Sequence, residues 1–253
     1  MNTPRLQFVW PPLTPGLKAL LITFSVIYVI HPMFSGTLEI REFIVQTLYL
    51  SNEGLLGHLQ LWQPLTTLVL HDDFFHALFN GLVLYFFGGE LEKRWKTLKF
   101  LVIFLICGLG SDLAIVVWHL IAPGELGPEG WSLVRTVGAS GAISGVMAAF
   151  VLYHWDVPLR LFLAVSIKGK WLLPIFLGFD IVGALFGSPV SLPGHLGGMA
   201  TGLLITIVVF KPNNWIGRLK LWRLRRKLSV MRGGGPSLND DPDKKKRNGR
   251  TLH

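Results

Sequence analysis

The sequence predicts an all-α membrane protein, a bundle of six transmembrane helices. Three observations carry that prediction. The chain holds few charges, its apolar residues gather into six segments, and its basic residues fall almost entirely on one side of those segments. Of 253 residues, 51% are hydrophobic and only 15% are charged, where a soluble domain carries about 25% charge. The mean hydropathy is +0.48. Lipid as the solvent explains both values.

A membrane-spanning helix takes roughly 17 to 25 mostly apolar residues. The six segments cover residues 17–33, 74–89, 98–121, 137–153, 171–186 and 194–210. Several are short and rich in Gly and Ala. Cytoplasmic loops collect Lys and Arg. With the N-terminus inside, 22 of the 24 basic residues lie on the inner side. They are Arg5 and Lys18, then Lys93, Arg94, Lys96 and Lys99, then Arg160, Lys168 and Lys170, and the thirteen that follow Phe210. Only Arg41 and Arg135 fall outside. An even number of spans with both termini in the cytoplasm gives this split, and an odd number spoils it.

The connecting segments follow in order. Residues 1–16 form a cytoplasmic lead with several prolines, and no cleavable signal peptide is expected there. The first outer loop, 35–73, carries apolar stretches at 43–50 and 55–65 with Trp62, which predicts short interfacial helices at the outer leaflet. Segment three stops at Ala122-Pro123-Gly124, a helix breaker. Residues 17–210 make one membrane domain. Residues 211–232 read as a basic juxtamembrane helix, and residues 233–253 as a disordered cytoplasmic tail. The tail's basic residues fit anionic lipid rather than nucleic acid, because they directly follow a membrane span. The single cysteine, Cys107, excludes an intramolecular disulfide.

Three polar clusters carry the chemistry. Segment four opens with Val137-Gly138-Ala139-Ser140-Gly141-Ala142. A serine among small residues allows close approach of a backbone or a substrate, but by itself it fits a helix-packing seam better. Segment six opens with Gly194-His195-Leu196-Gly197-Gly198. A histidine inside a span is costly and points to function, with a structural hydrogen bond or a metal ligand as the other readings. Metal is unattractive, since no Cys, Asp or Glu stands at ligand spacing on that helix.

Topology couples these two clusters. Both segments enter from the outer side, so Ser140 and His195 share a shallow depth, Ser140 about one turn below the surface at 1.5 Å per residue. Gly194, Gly198 and Gly202 form one smooth face, and Gly141, Gly145 and Ala149 another, so the two helices can pack backbone to backbone. A serine hydroxyl attacks well only when an adjacent base takes its proton. Ser140 as nucleophile and His195 as base meet that need. At the same depth in segment two, His76 and Asn80 stand at i and i+4 on one face, with His71 just before them. Both can donate to an oxyanion, and they can equally brace the bundle. Asp112 and His119 in segment three and Asp180 in segment five are expected to face a wet pocket or to brace loops.

These residues resemble the rhomboid family of intramembrane serine proteases. Gly138-Ala139-Ser140-Gly141 resembles its GxSG nucleophile motif. His195 with Gly198 and Gly202 resembles its HxxGxxxG sixth helix, and His71 with His76 to Asn80 resembles its paired histidines and HxxxN element. Trp62-Gln63 is similar to the WR element of the first loop, with Gln for Arg, and Glu92 to the acidic residue closing the second helix. The resemblance covers about residues 17–210.

It implies a six-helix bundle with a water-filled pocket open to the outside. It also implies cleavage of transmembrane or juxtamembrane segments of other membrane proteins by a Ser–His dyad without a cofactor. Substrate helices would enter past segments two and five, with residues 188–193 as part of a cap. A bacterial inner or plasma membrane fits the compact layout.

Three positions depart from the pattern. Ser144 stands where many members place an aromatic that stacks on the histidine, so the histidine is expected to be held differently, or through a water. Gly194 replaces a common Ala. Gln63 in place of Arg removes the basis for arguing how the first loop is anchored. A catalytically inactive relative that guides client proteins, and a small-solute transporter, are the competing classes. Loss of the Ser–His pair would mark the first and inverted repeats the second, and neither mark is present.

Overall fold

The computed structural model describes residues 11–34, 36–121, 135–161, 165–186 and 191–210. Eight α-helices follow one another among them: α1 (Pro15–Phe34), α2 (Leu38–Leu48), α3 (Gln63–Thr66), α4 (Phe74–Trp95), α5 (Thr97–Ile121), α6 (Ser140–Tyr153), α7 (Leu172–Leu185) and α8 (Leu192–Ile205). A short hairpin, β1 (Pro158–Leu161) with β2 (Val165–Lys168), joins α6 to α7. The compact unit that holds these elements ends at Thr206, and a second unit covers Ile207–His253. The predicted juxtamembrane helix and tail, 211–253, lie outside the described residues.

The molecule is a multi-pass membrane protein with an α-helical bundle. Among the described residues, four stretches are long and apolar enough to cross a bilayer: Pro15–Met33, Phe74–Trp95, Thr97–Ile121 and Leu192–Phe210. They keep apolar side chains outward, such as Ile22 and Val29 on α1 and Leu113 and Trp118 on α5. Lipid can cover such faces at no cost. The predicted fourth and fifth segments are shorter helices of 14 residues each, about 21 Å long at 1.5 Å per residue. For α6 the reason is its position. It packs against α4, α5 and α8, and every residue from Gly141 to Val151 is buried. A helix surrounded by protein need not match the lipid thickness.

Packing of α6 on α8 follows the small-residue stripes. A Cβ built on Gly198 would overlap the carbonyl of Gly141, and one on Gly202 would overlap the carbonyl of Gly145. One on Gly145 would stand 2.6 Å from the Gly198 carbonyl. The two backbones therefore touch, and any side chain at Gly198 or Gly202 would separate them. On its other flank α8 meets α5, where Gly197 faces Ala114 and the Gly110 carbonyl.

Glu92 fixes the start of α1. Its buried carboxylate accepts hydrogen bonds from Thr14 Oγ1 (2.5 Å), Gly16 N (2.7 Å), Leu17 N (2.7 Å) and Thr97 Oγ1 (2.6 Å). Two of these donors are backbone N–H groups at the helix N-terminus, which have no partner inside the helix.

The first loop is built as its apolar stretches predict, with α2, a π-helical turn at Glu53–Gly57 and α3. No residue of α2 is buried, and Leu38 and Phe43 are exposed, as suits a helix lying at an interface. Gln63 anchors the loop in its own way. Gln63 is fully buried; its Oε1 accepts from Ser51 N (3.1 Å) and its Nε2 donates to the Gln46 carbonyl (3.3 Å). A neutral amide offers both a donor and an acceptor, so it anchors two backbone groups at once. Trp62 Nε1 adds a bond to the Thr47 carbonyl (2.9 Å).

Two further departures concern element limits. Segment two runs on to Trp95, because Leu91 and Trp95 stay in the core and Glu92 is satisfied. The β1–β2 hairpin, with Leu159 opposite Ile167, stands between α6 and α7 where no element was predicted. Its alternating apolar and polar residues span only four positions per strand, too few to stand out beside long apolar runs.

Candidate active site

Three helix N-termini meet on one side of the bundle. The α6 end carries Ser140. The helix begins at Ser140 itself, with Ala139 as an N-cap that offers no side-chain hydrogen bond. Ser140 was expected a turn inside a segment starting at residue 137. It is instead the first helical residue, because Gly138 has φ of +121°, a conformation open to glycine that turns the chain into the helix. The lead-in is held by the first loop. Leu50 and Thr136 exchange backbone hydrogen bonds (3.0 and 2.9 Å), and Gly138 N donates to the Thr67 carbonyl (2.9 Å).

The α4 end brings His76 and Asn80. Asp73 caps the helix, its Oδ1 accepting from His76 N at 2.9 Å. That cap fixes the first turn and the direction in which His76 leaves it. A Cβ on Gly138 would lie 2.5 Å from His76 Nε2 and 3.8 Å from Asn80 Nδ2. His76 and Asn80 therefore both lie against the backbone that leads into Ser140. Asn80 Nδ2 is buried and has no hydrogen-bond partner among the described residues. The His71 ring stands edge-on to His76 at 5.1 Å and packs on Phe24 at 5.0 Å. Burial, together with the neighbouring His76, pushes the His71 imidazole down to about 4.

The α8 end brings His195, which is buried. Ser191 caps this helix, accepting from Gly194 N at 3.3 Å. His195 lies within electrostatic range of His76. The residues beside the predicted pair also meet, since a Cβ on Gly141 would stand 3.3 Å from the Gly194 carbonyl. The residues next to Ser140 and His195 thus meet across the α6–α8 seam. No hydrogen bond joins Ser140 Oγ to the His195 ring among the described residues.

Sequence reasoning missed the group that His195 does contact. Its Nδ1 lies 2.7 Å from Asp180 Oδ2, with both side chains less than a tenth exposed (8% and 7%). Asp180 was expected to face a wet pocket or brace a loop. It pairs with the histidine because α7 packs beside α8. Phe176, one turn earlier on α7, places its ring 5.4 Å from the His195 ring, tilted by 47°. The signal available in the sequence was an aspartate inside an apolar span, which is costly without a partner.

Ser144 takes no part in holding the histidine. Its hydroxyl donates to the Ser140 carbonyl at 2.7 Å, within its own helix. Asp112 is buried in α5 with Oδ2 unpartnered among the described residues.

Comparison with known proteins agrees with the fold. The family model described as the Rhomboid domain matches residues 58–212. The chain is 29% identical over 154 residues to the rhomboid protease AarA of Providencia stuartii, covering 58% of this chain and 55% of that protein. It is 29% identical over 184 residues to the rhomboid-like protease 3 of Toxoplasma gondii, covering 71% and 64%. It is 28% identical over 160 residues to the rhomboid protease GlpG of Yersinia pestis, covering 58% and 48%. The matched stretches span about half to two thirds of these relatives' lengths. The match takes in α4 to α8 and all three polar clusters, and on it the chain belongs to the rhomboid family.

Proposed function

We propose that this chain is an intramembrane serine endopeptidase that cleaves transmembrane or juxtamembrane segments of membrane proteins. The observation that carries the reading is the approach of three helix N-termini: His76 and Asn80 lie against the Gly138 backbone that leads into Ser140, and Gly141 lies near the Gly194 carbonyl beside His195. The names of the relatives, all proteases, support the same reading.

In this mechanism Ser140 Oγ attacks the scissile carbonyl carbon while His195 takes the hydroxyl proton. The proton then passes to the leaving amine nitrogen as the peptide bond breaks. Water repeats the sequence on the acyl-enzyme and frees Ser140. The developing oxyanion accepts hydrogen bonds from His76, from Asn80 Nδ2 and from the backbone N–H of Ser140. That N–H belongs to the first turn of α6, where N–H groups lack partners within the helix and the dipole favours negative charge.

Substrate helices enter past α4 and α7, where Phe79 and Phe179 are exposed. The proposed cap begins within residues 188–190, outside the described residues. Both termini lie in the cytoplasm, and the basic tail adds about 1 kcal/mol of attraction to anionic lipid per well-placed Lys or Arg.

The test is cleavage of a reporter with one transmembrane helix, in detergent and in proteoliposomes. Wild type cleaves it and Ser140→Ala does not. His76→Ala and Asn80→Ala each lower kcat by roughly 10² to 10³, the usual worth of an oxyanion donor. Equal cleavage by wild type and Ser140→Ala sinks the reading. Failure of wild type to cleave any of a panel of such reporters favours the inactive, client-guiding class.

A further inference from the structure

We propose that Asp180 is a positioning residue for His195, so that the site works as a Ser–His–Asp arrangement rather than a dyad. The inference rests on the reading of Ser140 and His195 as nucleophile and base.

Three observations point to it. The Asp180 carboxylate lies 2.7 Å from His195 Nδ1. Both groups are nearly fully buried, at 7% and 8% side-chain exposure. Phe176 and Asp180 stand at i and i+4 on α7, and both touch the same imidazole. One face of α7 thus supplies an aromatic wall and an acceptor. The Ser144 hydroxyl is turned onto its own helix.

A carboxylate acts on an imidazole in two ways. Acceptance from Nδ1–H fixes the tautomer, leaving the Nε2 lone pair as the base. When Nε2 takes the Ser140 proton, the imidazolium gains a hydrogen-bonded counter-charge in a low-dielectric site, where a nearby charge counts for far more than in water. Asp180 keeps its own charge throughout; the proton moves from Ser140 Oγ to His195 Nε2 and on to the leaving nitrogen.

An amide in place of Asp180 reverses the first effect and removes the second. Its N–H donates to Nδ1, the proton shifts to Nε2, and the base is lost. In the soluble Ser–His–Asp proteases this change costs about 10⁴ in kcat. The loss expected here is roughly 10² to 10⁴, since Phe176 still orients the ring.

The experiment measures kcat and KM on the reporter for wild type, Asp180→Asn, Asp180→Glu and Ser140→Ala, with the thermal midpoint of each. Asp180→Asn is expected to lose at least about 100-fold in kcat with KM within about threefold. Asp180→Glu is expected to recover part of the loss, and Asp180→Asn added to His195→Ala to lose nothing further. Should Asp180→Asn keep kcat within about threefold of wild type, or lose activity only in step with folded protein, the proposal is overturned.

A second measurement needs no folded variant at that position. Nitrogen-15 spectra of histidine-labelled wild type, assigned with His195→Ala, are expected to show His195 protonated at Nδ1; protonation at Nε2 alone contradicts the proposal. Activity in Ser140→Ala marks failure of the nucleophile reading instead, so the two failures are told apart.

Discussion

Ser140, His195, His76 and Asn80 each sit within the first two turns of a helix, and short sequence motifs were enough to single them out. Asp180 was not legible in the same way. Its partner is fifteen residues on, in the next helix, and no spacing rule links a residue on one helix to another across a loop. His71 was legible as one of a pair, but the consequence of its burial was not. The folded chain holds this imidazole down to about 4 from an ordinary 6.5, first through burial and then through His76. The unfolded chain binds a proton near the ordinary value, so it binds more protons than the folded chain between these limits. Stability therefore falls as pH drops from 6.5 towards 4 and levels off below. Thermal midpoints across that range should slope less steeply for His71→Phe than for wild type. Equal slopes would remove His71 from the account.

At the scale of elements, the stripes of small residues in segments four and six predicted close packing, and the α6–α8 seam has that form. The ends of elements were harder to read. The start of α6 depends on the left-handed turn at Gly138 and on hydrogen bonds to Thr67 and Leu50, which come from a loop far away in sequence. The hairpin between α6 and α7 was missed because four-residue strands carry too little pattern. Two glycines test the seam against each other. Gly198→Val would drive a side chain into the Gly141 carbonyl, and it should cost about 1 to 3 kcal/mol or more. Gly178→Ala on α7 meets nothing within 4 Å and should stabilise the helix by roughly 0.5 to 1 kcal/mol. Unfolding in mixed micelles of graded denaturing strength measures both. A tolerated valine at Gly198 would mean that the backbones do not touch as described.

For the whole molecule, low charge and the one-sided distribution of Lys and Arg were sufficient to predict a multi-pass helical membrane protein. They could not show that the fourth segment is a short helix buried from Gly141 to Val151. Hydropathy reports how apolar a segment is, and a helix surrounded by protein scores like one surrounded by lipid. That burial gives α6 its role: α4, α5 and α8 hold it on several sides, and the first loop fixes its lead-in. Ser140 therefore stands on a rigid support at the edge of the bundle.

If Ser140 is an activated nucleophile, a covalent inhibitor will capture it. Wild type treated with a fluorophosphonate in active detergent conditions, then digested and weighed by mass spectrometry, should carry the added mass on the peptide holding Ser140. Ser140→Ala should carry none, and His195→Ala should react far more slowly. Equal labelling of wild type and Ser140→Ala, or an adduct on another residue alone, would contradict the account.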